Sequence, residues 1–222
     1  MIQVQHLTLS YGTHVLSRDI SFQVAPGECI LLAGPNGSGK STLLRHLAAE
    51  VGAPIPSAAK CILIPTGIPK VKGFTVETFV RTGCFRESDW AGRLRPETEQ
   101  RLESALELLE LSGLRNQDLS TLSDGEFQKA CIAIGLTRHC ETLLLDEPTA
   151  YLDVENRLMV LRTLRDITRQ RGIAVIFSSH DLHDALYAAD RVLAFTPDGR
   201  FLESAPDSRE EVLRAAFPHW KA

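Results

Sequence analysis

Residues 34–41 read Gly-Pro-Asn-Gly-Ser-Gly-Lys-Ser, a match to the pattern G-x-x-x-x-G-K-[ST]. Each residue type there has a reason if the loop holds phosphate. Gly34, Gly37 and Gly39 let backbone amides close around oxygen atoms, and Asn36 and Ser38 complete the cradle. Lys40 can reach the outer phosphates, the Ser41 hydroxyl can ligate magnesium, and the helix that starts at Ser41-Thr42 adds the partial positive charge of its N-terminus. The segment from Gly34 to Thr42 is therefore expected to bind ATP with magnesium. A flexible glycine turn is the weaker alternative, because the loop follows an apolar strand and precedes a helical pattern, the context that the match requires.

A second group stands far downstream, where Leu143-Leu144-Leu145 runs into Asp146-Glu147. Two carboxylates directly after a buried strand lie at the sheet edge where such folds hold ligands. Asp146 is expected to hold magnesium, through water, and Glu147 to orient or deprotonate the attacking water. Adjacent acids could instead cap a helix; the loop at Gly34 tips the balance toward hydrolysis.

These groups need a scaffold, and the apolar patterning supplies one. The first thirty residues alternate apolar and polar positions around Tyr11-Gly12 and Pro26-Gly27, predicting short strands joined by turns. Apolar runs at Cys29–Ala33, Cys61–Ile64, Thr142–Leu145, Ile173–Ser178 and Val192–Phe195 predict buried strands. Helical spacing predicts helices over Ser41 to about Val51, Glu97–Leu111 with Gly113 as C-cap, Gly125–His139, Asn156–Gln170 and Leu182–Ala189. Pro197-Asp198-Gly199 predicts a hairpin turn. Strands alternating with helices imply an α/β fold with a mostly parallel, helix-covered sheet.

The chain has 222 residues, 44% hydrophobic and 23% charged, which is ordinary globular material. A net charge of -4 offers no broad attraction to nucleic acid or to a bare anionic membrane. No apolar run approaches a membrane span, and the N-terminus lacks a secretion-signal pattern, so a cytoplasmic location is expected. Five cysteines without C-x-x-C spacing argue against disulfides or a zinc knot.

Leu122-Ser123-Asp124-Gly125-Glu126 resembles the signature, usually written LSGGQ, of the nucleotide-binding subunits of ABC transporters. The resemblance covers nearly the whole chain. It implies a P-loop ATPase with a nucleotide-binding core at 1–66 and 140–222, a small N-terminal antiparallel β subdomain, and an inserted helical subdomain at about 74–139. It also implies that Ser123 and Gly125 contact the ATP held by a second copy, so that two subunits sandwich two nucleotides. Asp124 departs from the family's glycine and brings a negative charge close to that phosphate. Tyr11 sits where the family has an aromatic that stacks on adenine. Asp153 falls in the loop that communicates across the dimer, and His180 matches the histidine that meets the γ-phosphate. Thr66 stands in place of the glutamine that touches magnesium and relays to the membrane partner. The short interval between Thr42 and Thr66 departs from the family as well. His183 with His180 makes an H-x-x-H pair without a third ligand, better read as a surface residue.

The stretch from Phe74 to Gly83, with Phe85 and Trp90, is similar to the helical subdomain of ATPases of iron-siderophore, haem and cobalamin importers. There its aromatics would line a groove for a permease, with packing inside the subdomain as the equal alternative. The resemblance thus implies integral membrane permease subunits as partners, a substrate-binding protein outside the cell, and a position on the inner face of the membrane. Two other functions stay open: a soluble ABC protein, and a regulatory subunit with feeble turnover.

Overall fold

The computed structural model describes residues 2–49, 61–138 and 140–220. Strand β1 (Ile2–Tyr11) pairs antiparallel with β2 (His14–Val24), a two-stranded sheet of its own. The two short strands and turn expected from sequence are one long hairpin, with irregular register between Val4 and Ser10.

Six further strands form the main sheet: β3 (Cys29–Ala33), β4 (Cys61–Ile64), β5 (Thr142–Leu145), β6 (Ala174–Ser178), β7 (Arg191–Phe195) and β8 (Phe201–Glu203). Their spatial order is β4-β5-β6-β3-β7-β8, parallel except for the last pair. Strands β3, β5 and β6 are buried at every position, which is why they read as unbroken apolar runs. Alternate residues serve opposite faces. Cys29, Leu31, Leu143, Leu145, Val175 and Phe177 join the core on one side, and Ile30, Leu32, Leu144 and Ile176 the core on the other.

The second face is covered by the hairpin and by α1 (Lys40–Leu47), through Leu43, Leu44 and Leu47. The first face carries α2 (Val76–Arg81), α3 (Pro96–Leu108), α4 (Asp124–Thr137), α5 (Val154–Arg171), α6 (Leu182–Ala188) and α7 (Arg209–Ala216). The hairpin turn expected at Pro197-Asp198-Gly199 joins β7 to the antiparallel β8, whereas α7 was not anticipated from the sequence. The far end of the expected first helix, at Val51, lies outside the described residues, as does His139 and most of the interval before Thr66.

One expected cap is corrected. Helix α3 ends at Leu108, Glu110 takes a left-handed conformation (φ 59), and the Leu111 amide donates to the Leu106 carbonyl at 2.8 Å. A non-glycine residue thus closes the helix. Gly113 belongs to the 3-10 turn Ser112–Leu114 that follows.

Candidate nucleotide site

Strands β3, β5 and β6 are neighbours, and each hands its reactive group to the same carboxyl edge of the sheet. The glycine-rich loop follows β3, Asp146-Glu147 follow β5, and His180 comes two residues after β6. The loop itself is tightly constrained. Gly34 (φ 148), Gly37 (φ 76) and Gly39 (φ 111) hold conformations that L side chains disfavour, and Gly39 caps α1 without any side-chain acceptor. The first amides of α1 are therefore left to an anion.

Lys40 is 6% exposed and donates to the carbonyls of Gly34 (2.8 Å) and Pro35 (3.2 Å). Its pKa is lowered by burial, a shift that the Glu147 and Asp146 carboxylates oppose. Ser38 Oγ is buried with no hydrogen-bond partner among the described residues. A buried orphan hydroxyl inside a cradle of glycine amides suits an oxyanion.

Asp146 is 7% exposed and accepts from Ser178 Oγ at 2.9 Å, and the same hydroxyl accepts from the Glu147 amide at 2.9 Å. Ser178 thereby fixes both acids across two strands. Glu147 sits at φ 52 and points Oε1 at His180 Nε2, 2.6 Å away. A cleft of about 530 Å³ is lined by Tyr11, His14, Leu16, Asn36, Gly37, Gly39, Lys40, Ser41, Thr42, Glu147 and His180. Tyr11 is 71% exposed there, free to offer its ring to a planar base rather than packing as half-buried core.

Other expected residues lie elsewhere in the single chain. Thr66 lines a separate cleft beside the α4 terminus, which it shares with Lys70, Asp124, Phe127 and Glu147. Ser123 caps α4 in a reciprocal box with Glu126, away from the loop. A Cβ at Gly125 would lie 2.2 Å from Asn156 Oδ1 and 2.6 Å from Met159 Cε, so this glycine also has a packing reason. Asp153 caps α5, its carboxylate accepting from the Asn156 amide at 2.8 Å, and does not line the loop's cleft. His183 packs against Trp220 with the two rings tilted by 34° (centroids 5.3 Å apart). Phe79 is buried and stacks on Phe127 at 5.7 Å, so it is core rather than groove, while Phe85 and Trp90 are exposed. His14, Leu16 and Ser178 were missed as site residues. The two-residue turn that pairs Tyr11 with His14 could have suggested the first; Ser178 had no sequence signal, lying 32 residues from its partner Asp146.

A phosphate loop, a carboxylate pair and a histidine at adjoining strand ends define a P-loop nucleotide hydrolase. The family model described as "ABC transporter" matches residues 17–150, and the chain belongs to that family. It is an ATP-binding, ATP-hydrolysing protein of transport. The petrobactin import ATP-binding protein FpuC of Bacillus anthracis is 31% identical over 229 residues, spanning 96% of this chain and 83% of that one. The zinc import ATP-binding protein ZnuC of Jannaschia sp. is 32% identical over 203 residues, spanning 87% and 78%. Among solved structures, a transporter assigned to the metal-chelate ABC type, in an inward-facing conformation, superposes with a TM-score of 0.85 at 25% identity, covering 97% of this chain and 88% of that one.

Proposed function

We propose that this chain is the ATP-hydrolysing subunit of an importer for chelated metal, of the iron-siderophore, haem or cobalamin class. The observation that carries the site assignment is the cleft joining Tyr11, the glycine-rich loop, Glu147 and His180. Tyr11 stacks on adenine; Gly34, Asn36, Gly37, Ser38, Gly39, Lys40, Ser41 and Thr42 hold the phosphates. Glu147 takes the proton of the attacking water, and His180 steadies Glu147 and the γ-phosphate. Magnesium, which neutralises phosphate charge when bound, would be held by Ser41 and Asp146, with Thr66 reaching it through water. That oxygen donor set of few protein ligands suits magnesium.

Ser123 and Gly125 lie outside this cleft, and a second copy supplies them: two chains enclose two nucleotides, with Asp153 in the contact between copies. The core at 1–66 and 140–222 carries the nucleotide, and the helical part at about 74–139 carries the signature and meets the permease. Trp90, 99% exposed, and Phe85, 78% exposed, form the apolar part of that contact. Among the described residues no helix is long and apolar enough to cross a membrane, so the permease provides attachment to the inner face of the membrane. A substrate-binding protein outside the cell delivers the cargo.

The FpuC and metal-chelate likenesses support a metal-chelate cargo, and the ZnuC likeness raises zinc as a second cargo. Isolation of the intact complex from membranes, followed by uptake of radiolabelled ferric siderophore and of zinc into vesicles, tests the assignment. ATP-dependent accumulation of the ferric siderophore is expected. Accumulation of zinc alone would overturn the iron-chelate class, and a chain that isolates without a permease would overturn the transport role.

A further inference from the structure

The N-terminus of α4 carries two acids in its first turn, Asp124 and Glu126. Acids there satisfy the helix dipole and so compete with an incoming phosphate. Glu126 is already committed, since its carboxylate accepts from the Ser123 amide at 2.8 Å and from Ser123 Oγ at 2.9 Å. Asp124 is different: its side chain is 69% exposed, on the surface where the signature would meet nucleotide.

Lys70 answers that charge. Its ammonium donates to Asp124 Oδ1 at 2.8 Å and to the Leu122 carbonyl at 2.7 Å, and it stands 5.7 Å from the centroid of the Phe127 ring. Three contacts from the segment Leu122 to Phe127 hold a single lysine, and its side chain is only 27% exposed. It comes from the loop after β4, four residues past Thr66, and lines the cleft that also includes Thr66 and Glu147.

We propose that Lys70 is a positioning residue for ATP hydrolysis: it neutralises Asp124 and thereby lets the α4 terminus accept the phosphate of a second copy's nucleotide. The proposal rests on the two-copy reading given above. An ion pair this exposed adds little to folding. Its effect falls on the anion instead, because an unpaired carboxylate facing phosphate in a closed interface is strongly unfavourable. The loop after β4 and the signature also become one electrostatic unit, so a shift of either moves the other.

The test is steady-state ATP hydrolysis by the intact complex carrying K70A, K70R, D124G or K70A/D124G, with ATP-driven dimerisation followed separately on an E147Q background. K70A is expected to raise KM for ATP about tenfold, with little change in Tm. K70R, which keeps the charge, restores KM to within about threefold. The double variant K70A/D124G stays within about threefold of D124G, since the Asp124 charge that Lys70 neutralises is gone. The K70A defect also shrinks as salt is raised, because screening weakens the repulsion; a purely structural defect would not respond in that way. Equal KM in K70A and the parent would overturn the proposal, as would an undiminished K70A loss in the D124G background. An E147Q dimer indifferent to K70A overturns the proposal alone, whereas E147Q that stays monomeric with ATP overturns the two-copy reading and the proposal with it.

Discussion

Glu147 Oε1 lies 2.6 Å from His180 Nε2, joining a residue after β5 to one after β6 at the mouth of the phosphate loop. The contact holds the carboxylate in the cleft at a backbone conformation (φ 52) that few side chains adopt without support. Replacing Glu147 by Gln keeps the shape and removes the carboxylate proposed as the base. Turnover should fall roughly 100-fold or more, and ATP-bound dimers should accumulate on size-exclusion chromatography. Undiminished turnover would remove Glu147 from its role.

The Gly34 position leaves no room for a side chain. A Cβ there would lie 2.7 Å from Ser38 Oγ, 2.9 Å from Phe195 Cβ and 3.1 Å from the Phe195 carbonyl, at φ 148. Gly34→Ala should cost about 1–3 kcal/mol of stability and abolish measurable ATP binding by calorimetry. A variant with parental Tm and affinity would show that the loop relaxes freely.

Two aromatics of the helical part should behave oppositely. Phe79 is 9% exposed and stacked on Phe127, so Phe79→Ala should destabilise the chain by about 3 kcal/mol, seen as a lower denaturant midpoint. Trp90 is 99% exposed, so Trp90→Ala should leave the midpoint unchanged and weaken co-purification with the permease. Equal losses of stability would place Trp90 in a packed region as well.

The thiols should be inert while the chain is folded. Burial pushes Cys61 and Cys140 up to about 11, and it raises Cys29, Cys84 and Cys131 too. A raised thiol pKa lowers the thiolate fraction at any pH below it, to roughly one in a thousand at pH 8 for a pKa near 11. A thiol-specific chromophore at pH 8 should thus react slowly with native protein and label all five cysteines rapidly in denaturant. Prompt labelling of native Cys61 or Cys140, which are only half-buried, would contradict their raised pKa.

Local chemistry made much of this protein readable from its residues in order. The phosphate loop is contiguous, its glycines are needed within eight positions, and the strand and helix that flank it announce themselves by apolar pattern. The unbroken runs of β3, β5 and β6 identify buried parallel strands for the same reason. What the sequence left open depended on distance along the chain. Sheet order brings Ser178 to Asp146 and His180 to Glu147, and no local rule fixes which strands become neighbours. Phe79 and Trp90 were alike as aromatics after a loop, and only packing against Phe127 separated core from surface. Asp124 looked like an uncompensated charge in the signature until Lys70, 54 residues earlier, was found beside it. Sequence determined which groups exist and which strands are buried; the tertiary structure decided which charges meet, because an ion pair depends on distance in space and is indifferent to separation along the chain.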